Sequence, residues 1–471
     1  MPQPRGGQDR GVGLRARGRA ATAAAVAALF AGAPASAQTL TEAFAYTYNN
    51  NPQLLAQRAL LRSTDEQVPQ ALSNWRPTVT FTANAGFTRS GSSAAGSRTV
   101  FSSFPTRSTG LRVTQPLYRG GRTEAQTRQA INTVQATRAQ TLGVETTVFQ
   151  AVAQAYLDVV RDQTLVEVAQ NNEAVLRRQL EATRDRFRVG EVTRTDVAQA
   201  ESALAQSTAQ RINAAGQIEV SRANYVRQVG HPPGRLMLPR ERPALPATRE
   251  EALNIAAQDN PNVISASFTE LAARENVDVV RGQLLPQISI VGDLSRSYAP
   301  SISLQGARQD TASAQLQLTM PLYEGGAIYS QTRQAQQTVG QRRSQVDDAR
   351  RLAVQQATQA WETLQAARAA IASFGAAVRA AQIALEGTQQ EALVGSRTVL
   401  DVLIAQQQLF TTQSQLVGAQ HDAALAEFNL AAATGRLIAP ELRLPVQLYD
   451  MEKHYKAVKD KLFGFGGGLT E

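Results

Sequence analysis

The side chains that could carry catalysis are few and scattered. The chain of 471 residues has three histidines and no cysteine. Its histidines, His231, His421 and His454, match neither the spacing of a metal site nor that of a catalytic triad. The His421-Asp422 dipeptide falls in a helical stretch and is predicted to be a surface pair. Without cysteine there are no disulfides or thiolate metal sites. The sequence therefore indicates a protein that is not an enzyme and needs no cofactor.

Two aspartates at equivalent places are stronger candidates for a function. Asp196 follows Val189-Gly190, and Asp401 follows Val394-Gly395 at the same spacing. Glycine commonly ends a helix, and aspartate commonly caps the start of the next one. Each Val-Gly pair is therefore predicted to be a turn that reverses a helix. Capping alone is one interpretation of the two aspartates, and a functional role is the other.

These turns belong to an internal duplication of the chain. Asn51-Pro52 recurs as Asn260-Pro261 at an offset of 209 residues. Pro116-Leu117-Tyr118-Arg119-Gly120-Gly121 recurs as Pro321-Leu322-Tyr323-Glu324-Gly325-Gly326 at an offset of 205. Ordered agreement of this kind is typical of a repeated structural unit. The residues predicted to form the strand-to-helix turns are Pro116, Gly120, Gly121, Pro321, Gly325 and Gly326.

Each copy contains two segments with the alternation of β-strands. They are predicted at about residues 78–89 and 110–117 in the first copy, and at about 287–296 and 312–322 in the second. Apolar side chains such as Val79 and Phe81 alternate with threonines, which is the period of a strand with one apolar face. Segments of about 9–11 residues are long enough to cross a bilayer at a tilt. A soluble hairpin packed on a core is the alternative.

Long helical stretches follow the strands. Residues 122–187 contain no proline and would span ~100 Å as one helix, and residues 327–393 are similar. Shorter return arms follow, at 195–229 and 398–434. Each copy also begins with a helical stretch, at about 40–73 and 249–283.

The remaining segments complete the domain plan. Residues 1–37 carry an Arg-rich leader, an apolar run and Ala35-Ser36-Ala37, the layout of a secretory signal peptide. The first repeat is assigned to residues 38–229, a Pro-rich linker to 230–248, the second repeat to 249–435 and an irregular tail to 436–471. The net charge is +9, but acidic residues alternate with arginines, so no nucleic-acid partner is expected.

The strand count sets a condition on the assembly. Four strands cannot close a barrel, and an open sheet edge in lipid would leave backbone groups unpaired. Membrane-spanning strands would therefore require several copies around a shared barrel, and the polar helices would extend away from the membrane.

The duplicated unit, the Pro-Leu-Tyr-x-Gly-Gly turns and the segment from Val394 to Leu403 resemble the TolC family of outer-membrane efflux proteins. The resemblance implies a mainly α fold with a membrane β-barrel, in which a homotrimer shares twelve strands above a periplasmic α-helical tunnel. It also implies a location in outer-membrane lipid. The implied partners are a periplasmic adaptor (membrane fusion) protein and an inner-membrane transporter, working in drug efflux or type I protein secretion.

The resemblance also assigns roles to residues of the turns. Asp401 matches an acidic residue that rings the periplasmic entrance, although Ile404 stands where a second acid is usual. Arg397 matches a gate-latch arginine, with Thr195 and Asp196 as its counterparts, and Ala392 replaces a tyrosine of that latch. The adaptor-docking turns would be Val189-Gly190 and Val394-Gly395. A periplasmic coiled-coil scaffold or adhesion protein without channel activity is the alternative function.

Overall fold

The computed structural model describes residues 38–92, 99–239, 241–298 and 306–464. The predicted signal peptide lies outside these residues, as do parts of the segments that connect the two predicted strands of each copy. In the first repeat the elements are α1 (Leu40–Asn50), α2 (Pro52–Asp65), α3 (Gln67–Ser73), β1 (Thr78–Ser92), β2 (Val100–Arg119), α4 (Arg122–Arg188) and α5 (Arg194–Val229). In the second they are α6 (Arg249–Asp259), α7 (Pro261–Arg281), β3 (Gln287–Tyr298), β4 (Arg308–Thr319), α8 (Ala327–Leu393) and α9 (Val399–Ala433), with α10 (Lys453–Val458) in the tail.

The two long helices, α4 and α8, each run through 67 residues without a break. An internal glycine weakens a helix by about 1 kcal/mol relative to alanine, so it needs compensation from packing. At Gly143 the reason for glycine is a close approach, because a Cβ there would lie 3.1 Å from Asn262 Oδ1 at the start of α7. Each long helix forms an antiparallel hairpin with its return helix, α5 or α9.

The four strands form one antiparallel sheet in the order β1-β2-β3-β4. The predicted strands were too short: β1 reaches Ser92, and β2 begins at Val100 instead of near 110. Serine and glycine near the hairpin loop resemble turn sequence, but regular pairing continues through them, as in Ser90 opposite Ser102. In the second pair, β3 extends to Tyr298 and β4 spans Arg308–Thr319, not 312–322.

The Asn-Pro pairs of the repeat have the same structural role in both copies. Asn51 Oδ1 accepts a hydrogen bond from Gln53 N at the start of α2, and its Nδ2 donates to Gln228 O near the end of α5. Asn260 Oδ1 accepts from the backbone N of residue 262 at 2.9 Å, and its Nδ2 donates to Ala433 O at 3.0 Å. Both side chains are buried. Each asparagine therefore caps one helix and holds it against the end of the return helix of the same repeat.

The largest core lies where α1, the linker and the tail pack on the middle of α4. Phe44 and Phe149 place their ring centroids 5.0 Å apart, and the ring centroid of Phe428 in α9 lies 6.1 Å from that of Phe44. The tail is not wholly irregular as predicted, because it contains α10 and buries Val458. An ion pair between Arg138 Nη1 and Glu452 Oε1 at 3.3 Å holds it, and His454 Nδ1 lies 3.1 Å from Asp65 Oδ2.

No helix in the described part of the chain combines the length and the apolar composition of a transmembrane span.

Candidate functional site

The first candidate site is the turn that joins α4 to α5, residues 189–193, which we call the first tip. Gly190 has a φ of 79°, the left-handed conformation that favours glycine. Gly190 N donates to Phe187 O at 3.0 Å, and Glu191 N donates to Arg186 O at 2.9 Å. These two bonds satisfy carbonyl groups at the end of the helix and reverse the chain.

The second tip, residues 394–398, joins α8 to α9 with the same geometry. Gly395 has a φ of 80° and donates from its N to Ala392 O at 3.3 Å. Ser396 N donates to Glu391 O at 3.0 Å. The tips are thus equivalent in their backbone, and they differ in their side chains.

Both candidate aspartates cap the helix that leaves their tip. Thr193 Oγ1 accepts from Asp196 N, while Thr193 N donates to Asp196 Oδ2 at 2.8 Å. At the second tip Thr398 Oγ1 accepts from Asp401 N, and Thr398 N donates to Asp401 Oδ2 at 2.9 Å. Such reciprocal boxes satisfy two backbone donors each. The bonds from the threonine hold the pKa of each carboxyl below its usual value. All of them use Oδ2, so Oδ1 of each carboxylate remains for other partners.

Arg397 lies in the second tip and pairs within its own chain. Its Nε is 2.9 Å from Glu391 Oε2, on the other side of the turn. The bond and charge of Glu391, and then the charge of Asp401, raise the pKa of Arg397. A single chain does not bring Arg397 to Thr195 or Asp196; Thr195 is exposed, and Asp196 is engaged with its capping threonine.

At the first tip the positive residue of the ion pair lies on the helix and the negative residue lies in the turn, which is the reverse of the second tip. Arg186, at the end of α4, lies 2.8 Å from Glu191 in the turn. Arg186 and Glu391 occupy equivalent positions at the repeat offset of 205 residues. Sequence reasoning singled out neither residue, although comparison of the two copies at this offset shows the change from Arg186 to Glu391. Glu191 corresponds to Ser396, one residue before Arg397.

Apolar side chains are exposed at both tips. Val189 is 78% exposed and Val394 is 80% exposed. Leu393, next to the second turn, is also exposed. Apolar side chains that are grouped and exposed to solvent in this way are typical of a surface that contacts another protein.

The two helical hairpins pack together just behind the tips. Val399 and Leu403 of α9 are buried against Leu176 and Leu180 of α4. Ile404, which stands in the place of an expected second acid, is exposed instead. This packing therefore holds the two tips beside each other within one chain.

The strand-to-helix turns lie at the other end of the long helices. Gly120 has a φ of 65°, and a Cβ there would lie only 2.4 Å from Gly282 O, so no side chain fits. Gly121, Gly325 and Gly326 also have positive φ. Pro116 does not belong to the turn as predicted, because it pairs with Ser289 inside β2 before a bulge. Pro321 lies two residues after Thr319, the last residue of β4.

The sheet has two chemically distinct faces. The apolar face carries, among others, Val79, Phe81, Leu111, Leu294 and Leu316. Threonine, serine, glutamine and asparagine dominate the opposite, polar face, where Phe104 and Val291 are the apolar exceptions. In the paired residues 78–88, 102–114, 289–297 and 309–317, the charged residues of the polar face are Arg112 and Asp293. Arg112 Nε lies 2.7 Å from Asp293 Oδ1. Sequence reasoning did not identify this pair, because the register that brings β2 and β3 together is non-local.

A family model described as "Outer membrane efflux protein" matches residues 47–231 and 252–436. The chain belongs to the outer membrane efflux protein family. Its two matched segments correspond to the two structural repeats.

Individual relatives of this efflux protein cover most of its length. The outer membrane efflux protein BepC of Brucella suis is 36% identical over 88% of this chain and 90% of its own length. Outer membrane protein TolC of Vibrio cholerae is 27% identical over 82% of this chain and 88% of its own. The alkaline protease secretion protein AprF of Pseudomonas aeruginosa is 26% identical over 62% of each chain.

The fold is also that of a solved outer membrane protein. The crystal structure of the outer membrane protein VceC of Vibrio cholerae superimposes with a TM-score of 0.72 and 20% identity, covering 84% of this chain and 96% of that one. These findings confirm the predicted family, the mainly α fold with a strand portion, and the outer-membrane location. The chain is a transport channel protein and not an enzyme.

His421 of this efflux protein packs between two helices. His421 is 7% exposed, so the prediction of a surface pair was wrong for it. It lies between Asp422 of its own helix and Asp158 of α4, with Nε2 3.0 Å from Asp158 Oδ1. The prediction failed because the packing of α9 on α4 covers this side of the helix. Within the described residues, no group of three or more metal-ligating side chains is assembled.

Proposed function

We propose that three copies of this efflux protein form an exit channel through the outer membrane. The observation that carries the proposal is the open four-stranded sheet, with β1 and β4 at its two edges. Pairing of β1 of one copy with β4 of the next would close a barrel of twelve strands, whereas four strands are too few. In this homotrimer every edge is paired, as the hydrocarbon region of a membrane demands.

The two faces of the sheet support this arrangement. The apolar face would contact outer-membrane lipid, and the polar face would line a water-filled passage. The long hairpins of α4–α5 and α8–α9 would then extend into the periplasm as an α-helical tunnel. A helix of 67 residues is about 100 Å long, which suits a conduit far longer than the membrane is thick.

We propose that the tips bind a periplasmic adaptor protein, which connects the channel to an inner-membrane transporter. Val189-Gly190 and Val394-Gly395 would be the docking turns, because both valines are almost fully exposed at the end of a rigid hairpin. BepC is named an efflux protein and AprF an alkaline protease secretion protein. The proposed cargo is therefore small molecules or a protein of a type I secretion system.

The proposed gate lies at the same end. Three copies of Asp401 would form a ring of negative charge around the entrance and would favour cations. Arg397 would latch the closed entrance by contacting Thr195 and Asp196 of the neighbouring copy. To do so it must exchange its partner within the chain, Glu391, for partners between chains.

Engineered cysteines test the closure of the barrel. The chain has no cysteine of its own, so every disulfide that forms within the protein joins engineered positions. One cysteine replaces a residue on the apolar face of β1, and another replaces a residue on the apolar face of β4. The position on β4 is varied over neighbouring residues, so that each possible pairing register is sampled. Because β1 and β4 are opposite edges of the sheet, a disulfide between them forms only between copies. Bands of two and three covalently linked chains are expected from outer-membrane fractions.

Cysteine pairs placed at the same heights on the central strands β2 and β3 are the control, since they link only within one chain. If every cysteine pair between β1 and β4 gives monomers alone, the proposed trimer is refuted. The alternative, a coiled-coil scaffold without channel activity, predicts in addition no conductance in planar bilayers.

A further inference from the structure

The apolar face of the sheet changes character near the hairpin loops. The pairing register places Arg107, Tyr298 and Arg308 in one row across β2, β3 and β4. The neighbouring row brings Arg296 opposite Asp310. Side chains alternate between faces along a strand, so these residues lie on the face that carries the apolar residues. We call Arg107, Arg296 and Arg308 the arginine patch.

The patch carries an excess of positive charge. Arg296 Nε lies 2.8 Å from Asp310 Oδ1, and Arg308 Nε donates to Asp310 Oδ2 at 2.8 Å. One carboxylate is thus shared by two guanidinium groups. Arg107 has no acidic partner among the described residues. Arg89, farther out on the same face, stacks over the ring of Phe101 at 5.2 Å.

The depth of the patch follows from the strand geometry. Tyr118 pairs with Ile288 near the helical end of the sheet, and Tyr298 lies ten residues farther along β3. At about 3.4 Å per residue and a tilt of about 40°, these tyrosines are ~26 Å apart along the barrel axis. That is the height of the apolar band of a membrane barrel, whose two limits are marked by aromatic residues. The arginine patch therefore lies at the level of the lipid head groups.

We propose that the arginine patch is a binding site for the phosphate groups of an anionic lipid in the outer leaflet. The inference rests on the proposed trimeric barrel, which turns the apolar face towards lipid and the hairpin loops outwards. Guanidinium groups bind phosphate through two parallel hydrogen bonds. An exposed cluster of arginines beside a membrane surface attracts anionic head groups. An uncharged or zwitterionic lipid would leave this excess charge unmatched.

The test uses the full trimer in detergent and two probes, bisphosphorylated lipid A and the same lipid with its phosphates removed. Native mass spectrometry counts the lipids bound to each trimer. Wild-type protein is expected to prefer the phosphorylated probe. The Arg107→Gln variant should weaken that preference about fivefold, the effect of one basic residue at a charged membrane surface. Arg107→Lys should restore part of it.

A matched control is available on the other face of the same sheet. Arg112 lies on the polar face, so Arg112→Gln removes the same charge from β2 without changing the lipid side. It should keep the full preference for the phosphorylated lipid. A triple variant, with Arg107, Arg296 and Arg308 each replaced by Gln, should lose the preference by tenfold or more, on the order expected for several basic residues.

The outcomes separate this inference from the channel itself. Equal binding of both probes by wild-type protein, or an unchanged preference in Arg107→Gln, would overturn the lipid site while single-channel conductance remains normal. A protein that forms neither trimers nor pores would refute the proposed function instead. Because Arg107→Gln breaks no ion pair among the described residues, its folding does not depend on the loss of a partner.

Discussion

Arg397 and Glu391 form an ion pair of 2.9 Å across the second tip, and both side chains are about half exposed. The pair joins the last turn of α8 to the loop before α9. An exposed pair of this kind is screened by solvent and contributes little to stability, so a competing partner can displace it. That is the property a releasable latch needs.

The latch predicts opposite effects for the two members of this pair. Arg397→Ser should loosen the closed entrance and raise single-channel conductance in planar bilayers, because it removes the contact to the neighbouring copy. Glu391→Gln should leave conductance unchanged or lower it, because Arg397 is then free to contact the neighbour. If both variants open the channel equally, the pair within the chain holds the gate and the proposed contact with Thr195 and Asp196 is wrong.

Asn260 allows a test of how the helices of the second repeat are held together. Asn260→Ala removes a helix cap and leaves Ala433 O without its donor in a buried place. A loss of about 2 kcal/mol is expected from these two effects. Asn260→Ser is the matched control, since serine keeps a capping oxygen and loses the amide donor without adding a charge. Thermal unfolding should rank wild type above Asn260→Ser, and Asn260→Ser above Asn260→Ala; equal stability of all three would contradict the assigned role.

The sequence predicted the parts of this fold that depend on local pattern. Alternation along β1 and the proline-free run of α4 are local properties, as are the two Val-Gly tips, so these elements were found. The ends of β1 and β2 were missed because their serines and glycines resemble a loop until the partner strand is known. The burial of His421 and the Arg112–Asp293 pair depend on contacts between distant elements, and no local pattern reports them.

The charges of Arg112 and Asp293 are expected to influence which ions pass through the proposed channel. They are the charged residues of the polar face within residues 78–88, 102–114, 289–297 and 309–317, so their balance sets the local charge of this part of the proposed lumen. Asp293→Asn should leave three unpaired arginines per trimer and shift the reversal potential towards anion selectivity. Arg112→Gln should shift it towards cations. The double variant should return close to wild type, and a shift of the same sign in both single variants would place the pair outside the lumen.

His421 predicts a pH dependence of stability in the periplasmic part. Burial lowers its pKa, but the contacts with Asp158 and Asp422 outweigh burial and raise the pKa above the ordinary 6.5. Burial likewise opposes ionisation of Asp158, yet His421 and Arg161 lower its pKa below the ordinary 3.8. The histidine contribution is complete below about pH 6.5 and is lost as the pH rises through the raised value. The aspartate contribution is complete above about pH 3.8 and is lost as the pH falls through the lowered value.

The charged pair between α4 and α9 therefore stabilises most between about pH 4 and 6.5. His421→Gln keeps a polar side chain of similar size and cannot be protonated in this range. The difference in thermal unfolding temperature between wild type and His421→Gln should be largest near pH 5.5 and should shrink towards pH 8. His231→Gln is the control, because that histidine has no acidic partner among the described residues. A difference that stays constant from pH 5 to pH 8 would show that His421 acts only by packing and that its charge does not join the two hairpins.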